Sequence, residues 1–141
     1  MTTLPDILRG FRPAGEELLR ITQCVTEPYA AVDPRHLDVQ VAAGGAARLV
    51  VLHTSPELSA LRCTLGEGAR LELTELFTAE AFAEVAVEQA ARSDCRITTV
   101  QLASANAAYR IDLNGRGAEN TLGGVFPVSY THLRAHETGA Y

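Results

Sequence analysis

A chain of 141 residues is one domain or part of one, and an apolar fraction of 47% is ample for a packed core. The formal net charge of −5 argues against a nucleic-acid or anionic-membrane surface, and no apolar run approaches the roughly 20 residues that span a bilayer. The apolar residues are mostly Ala, Leu and Val, with only 6% aromatic residues and no Trp, thin side chains that suit closely stacked strands better than a wide globular core.

The first stretch, 1–20, places Leu4, Ile7, Leu8 and Phe11 at helical spacing, which predicts a short helix ended by Gly10 and Pro13. It lacks the basic stretch and apolar run of a signal peptide. Cys24, Cys63 and Cys95 are odd in number and far apart, which argues against a disulfide framework and against paired-cysteine metal motifs. That usage suits a reducing, cytoplasmic setting.

From 21 to 126 the sequence repeats. Leu37-Asp38-Val39-Gln40-Val41, Leu61-Arg62-Cys63-Thr64-Leu65, Val85-Ala86-Val87-Glu88-Gln89 and Tyr109-Arg110-Ile111-Asp112-Leu113 alternate apolar and polar residues, the period of a strand with one face inward. Each is followed by a turn-forming corner (Gly44-Gly45, Gly66-Glu67-Gly68, Arg92-Ser93-Asp94, Asn114-Gly115-Arg116-Gly117) and then a second strand. Leu49, Leu71, Ile97 and Asn120 serve as anchors of those second strands, at intervals within the range of solenoid repeats. Thr78 to Ala91, rich in Ala and Glu, reads as a loop and then a strand from Val85. Two geometries satisfy the pattern: antiparallel hairpins, as in a cupin, for which Asn114-Gly115 is a hairpin signal, and about four coils stacked in parallel, which the near-constant repeat favours.

The segment 127–141 stands apart. Ser129 to Glu137 (SYTHLRAHE) back-translates codon by codon onto a transposase-type sequencing adapter, TCTTATACACATCTCCGAGCCCACGAG. It reads as a non-native tail on a chain cut near Phe126, so the helical-looking pair His132 and His136 carries no function. A cut there predicts an exposed strand edge, and with it aggregation or a homodimer.

Chemistry-bearing residues are sparse. His36 and His53 have no metal-ligand partner at two or four residues' distance, and the histidine cluster a cupin needs is missing. Cys63 and Cys95 fall on inward slots, with Cys95 in the place of Ala47 and Ala69. Glu67, Glu72, Glu75, Glu80, Glu84 and Glu88 read as a solvated outer face. No phosphate-binding loop, dinucleotide fingerprint or serine-nucleophile elbow is present. The expectation is a non-catalytic chain with no catalytic, cofactor or metal residue.

Three blocks resemble a known family. Tyr109 to Phe126 (YRIDLNGRGAENTLGGVF) is similar to the R-x-D-L … L-x-G-x-G-A … L-x-G pattern of the SufB/SufD family of iron–sulfur cluster assembly proteins, compressed between its two elements. Leu65 to Glu72 (LGEGARLE) resembles the family's L-G-E-N/G-A-R-L-E, and Val25-Thr26-Glu27-Pro28 the V-x-E-P that opens its β-helix. The likeness, nearer to SufD, covers 21–126. It implies a right-handed parallel β-helix and a scaffold subunit that works with a SufC-type ATPase and a SufB-type partner, the intact complex handling an iron–sulfur cluster. It carries no site residue onto this chain. A polysaccharide-acting or adhesive solenoid and a cupin-like small-molecule binder are the alternatives.

Overall fold

The computed structural model describes residues 10–15, 17–103, 105–125 and 132–139. Among them there are strands and no helix. In chain order they are β1 (Arg12–Pro13), β2 (Leu18–Ile21), β3 (Tyr29–Val32), β4 (His36–Val41), β5 (Ala46–His53) and β6 (Leu58–Leu65). There follow β7 (Arg70–Phe77), β8 (Ala81–Gln89), β9 (Asp94–Gln101), β10 (Ala105–Leu113), β11 (Glu119–Val125) and β12 (His132–Gly139). They form two six-stranded sheets, a first, β12-β10-β8-β6-β4-β2, and a second, β1-β3-β5-β7-β9-β11, in which every pairing is parallel. Successive strands alternate between the sheets, so the chain is a β-solenoid of about four turns. Parallel pairing removes the hairpin, cupin-like alternative, and Asn114-Gly115 turns a corner between sheets instead of closing a hairpin.

Alternation explains why these segments are strands. Along β6 the residues Ser59, Leu61, Cys63 and Leu65 are buried while Arg62 and Thr64 are exposed. The inward residues stack from coil to coil: Leu37, Leu61, Val85 and Tyr109 form one column, and Val39, Cys63, Val87 and Ile111 the next. All eight are at most 3% exposed. Each large aliphatic side chain so buried contributes on the order of 1.5–3 kcal/mol. The first-sheet alignment inferred from the repeat therefore holds.

The second sheet departs from it by two residues. Leu49 lies opposite Leu73, not Leu71; Leu71 lies between Ala47 and Cys95; and Asn120 continues that column. Cys95 thus takes the place of Ala47 and Leu71, not of Ala69. A slip of two leaves every side chain on its own face, so alternation cannot detect it.

One expectation falls mostly outside the described residues and another is corrected. The short helix expected within 1–20 rests on Leu4, Ile7 and Leu8, which lie outside the described residues; past its expected end at Gly10 and Pro13, Arg12–Pro13 and Leu18–Ile21 are strands that open the two sheets. Leu19 and Ile21 point inward and Leu18 and Arg20 outward. The strand expected to begin at Val85 starts at Ala81, because Ala81 and Ala83 are already buried lumen residues. Within the segment read as a non-native tail, 132–139 runs as β12 in parallel register with β10. A parallel ladder is built from backbone groups and accepts almost any sequence. In a strand, His132 and His136 are about 13 Å apart, not the neighbours they would be on a helix.

The corners after β4, β6, β8 and β10 share one backbone device. Gly44, Gly68, Arg92 and Gly117 have φ of 73°, 71°, 59° and 76°, the left-handed region open to glycine at little cost. The amides of Gly44, Gly68 and Arg92 donate to the carbonyls of Glu67, Ala91 and Arg116 in the following corner. Gly115 is needed for a different reason: a Cβ there would stand 2.4 Å from the Ala91 nitrogen.

Candidate functional site

The residues of functional character gather in the lumen, beside the other set of corners, those after β5, β7 and β9. There the second sheet's inward columns change character, from Leu49, Leu73 and Ile97 to Val51, Glu75 and Thr99 and then His53, Phe77 and Gln101. The facing column of the first sheet is small, Ser59, Ala83 and Ala107. Small residues on one wall leave room for long polar and aromatic ones on the other.

Glu75 is the hub. One carboxylate oxygen lies 3.2 Å from His53 Nε2, and the other accepts a hydrogen bond from the Tyr109 hydroxyl. Thr99 Oγ1 is 2.6 Å from that same hydroxyl. The His53 ring stacks on Phe77 at 4.3 Å between centroids, with 8° between planes. His53, Glu75 and Thr99 are each at most 1% exposed and Tyr109 is 2% exposed. A buried carboxylate is tolerated only with such partners. Burial, then the Glu75 charge, pushes the Tyr109 phenol well above its ordinary range, so it stays protonated and donates. Gln101 closes the column, and its amide atoms find no hydrogen-bond partner among the described residues.

A second polar staple sits at the last glycine corner. The Asn120 amide donates to Gln89 Oε1 at 2.8 Å, and Gln89 Nε2 donates to the Glu119 carbonyl at 2.7 Å. Gln89 is fully buried, which explains how an Asn occupies a column of apolar residues.

Cys95 borders the second cluster through a hydrogen bond with Asn120, its neighbour in the column. Cys63 and Cys95 are buried and free, and Cys24 is exposed. Burial, with a lesser contribution from Cys95, raises the Cys63 thiol well above its usual range; burial and then the Asp94 charge push Cys95 up to about 12. Both are protonated thiols, poor nucleophiles and poor metal ligands in that state. No group of three or more His, Cys, Asp or Glu among the described residues could hold a metal ion.

His53 is thus a satisfied core histidine and His36 an exposed one. Glu67, Glu72, Glu80 and Glu84 are exposed, but Glu75, read with them as solvated, is the most consequential buried residue of the chain. The signal was present: in Leu71-Glu72-Leu73-Thr74-Glu75-Leu76-Phe77, Glu75 shares the parity of Leu71, Leu73 and Phe77. Chemically the cluster can hold the Tyr109 proton and ties β5, β7, β9 and β10 together. No side chain in it reaches solvent, so it offers no substrate an entry.

Comparison with family models, with curated proteins and with solved structures gave no match. No helix among the described residues is long and apolar enough to cross a membrane.

Proposed function

We propose that the chain is a SufD-like scaffold, part of an assembly subunit that works with a SufC-type ATPase and a SufB-type partner in building iron–sulfur clusters. The observation that carries this reading is where two of the family-like blocks fall in the solenoid. Leu65 to Glu72 and Leu113 to Asn120 occupy corresponding glycine corners two coils apart, each with a glycine of positive φ followed by Ala69 or Ala118. The resemblance therefore rests on residues with one structural role. A lumen whose buried thiols and phenol stay protonated also suits a chain whose contribution is shape, with the iron–sulfur cluster as cargo of the complex.

The coding locus tests this directly. A reading frame that runs on past Phe126, beside genes for an ATPase and a SufB-type protein, and a full-length product that co-purifies with that ATPase are expected. A locus without those neighbours, and a product that leaves the ATPase unbound, would overturn the reading.

A further inference from the structure

The outer face of the second sheet carries a groove of about 510 Å3 where β5, β7 and β9 begin, within the roughly 300–1,000 Å3 of small-ligand sites. Register sets its charges. Arg48, Glu72 and Arg96 succeed one another across β5, β7 and β9, so a carboxylate lies between two guanidiniums whose Cα atoms are about 10 Å apart. Arg70 stands two residues before Glu72 on the same face, about 7 Å away along the strand, and its in-register neighbour on β9 is Asp94.

Two of these arginines are held by the protein. Arg48 donates to the Thr26 carbonyl, and Arg96 Nε lies 3.7 Å from Asp94. The side chains of Arg70 and Glu72 make no hydrogen bond or ion pair among the described residues. An unspent guanidinium fork is matched to an oxyanion, while Glu72 and Asp94 accept hydrogen bonds and donate none. A bare phosphate would satisfy the arginines and leave both carboxylates facing negative charge. A ligand with one carboxylate and several hydroxyls satisfies both sets.

We propose that this groove binds a small hydroxylated carboxylate of the sugar-acid class, the carboxylate on Arg70 and the hydroxyls on Glu72 and Asp94. The proposal does not depend on the scaffold reading. Its test is calorimetric titration of the full chain with glucuronate, glucose and inorganic phosphate, with circular dichroism of every variant. Glucuronate should bind saturably, and the other two should bind about tenfold more weakly or worse, as expected when charged hydrogen bonds are lost. Arg70→Ala should weaken glucuronate about tenfold or more with the strand spectrum intact. Glu72→Gln should narrow the preference for glucuronate over phosphate. Absence of saturable glucuronate binding, phosphate binding as tight as glucuronate, an Arg70→Ala variant that is folded and binds undiminished, or an unchanged preference in Glu72→Gln would each overturn it.

Discussion

The two sets of corners turn the same chain through the same solenoid by different means. At 42–45, 66–69, 90–93 and 114–118 the backbone does the work: a residue of positive φ, an amide handed to the next corner, and glycines where a Cβ would collide. At 54–57, 78–80 and 102–103 coil-to-coil backbone bonds, from the Thr78 and Leu102 amides to the His53 and Phe77 carbonyls, are joined by the stacked and hydrogen-bonded side chains of His53, Glu75, Phe77, Thr99 and Tyr109. The difference teaches where each is vulnerable. A backbone corner depends chiefly on what is small, with the Gln89–Asn120 staple added at the last one, and a side-chain corner on what is paired.

The sharpest way to break that contrast is Glu75→Ala. It leaves the Tyr109 hydroxyl and His53 buried without their shared acceptor, and a loss of about 3–5 kcal/mol is expected, read by urea denaturation. A loss below about 1 kcal/mol would mean that the cluster does not hold its corner.

Alkali should attack the lumen as a whole. The folded chain keeps protons on Cys63, Cys95 and Tyr109 that the unfolded chain releases earlier. Their raised values contribute stability that is complete below about pH 9 and is lost as pH climbs towards 12, by about 1.4 kcal/mol per pH unit for each group titrating only in the unfolded chain. Thermal melts from pH 8 to 11 should fall progressively, and Cys95→Ala should flatten the decline. A flat profile in the parent chain would show that these groups are not sequestered.

At the backbone corners Gly115→Ala should cost about 1–3 kcal/mol, because its Cβ meets the Ala91 backbone and not a flexible side-chain end. The smallest effect should be a gain. Arg92 is the non-glycine residue in the column of Gly44, Gly68 and Gly117. Arg92→Gly should relieve about 1–2 kcal/mol of left-handed strain, reduced by the loss of its ion pair with Glu67. That pair is exposed and contributes little. If Arg92→Gly destabilises instead, side-chain contacts matter at the backbone corners too, and the contrast between the two sets weakens.

Much of this architecture is legible in the chain itself. Leu37, Leu61, Val85 and Tyr109 announce both strand and repeat, since alternation and glycine-rich corners are local properties. The second sheet is less legible, because Leu49 opposite Leu71 and Leu49 opposite Leu73 satisfy the same alternation. Charge alone reads Glu75 as solvated, while its parity with Leu71, Leu73 and Phe77 places it inside. The hairpin reading of Asn114-Gly115 failed because a turn dipeptide does not say which strand comes next.

By itself, then, the sequence determined the strands, their faces, the corners between them and a repeat suited to stacked coils, for these depend on neighbours along the chain. Only the tertiary structure decided the parallel pairing, the second register and the meeting of His53, Glu75, Thr99 and Tyr109. Those four residues come from β5, β7, β9 and β10, and only stacking brings successive coils within hydrogen-bond reach of one another.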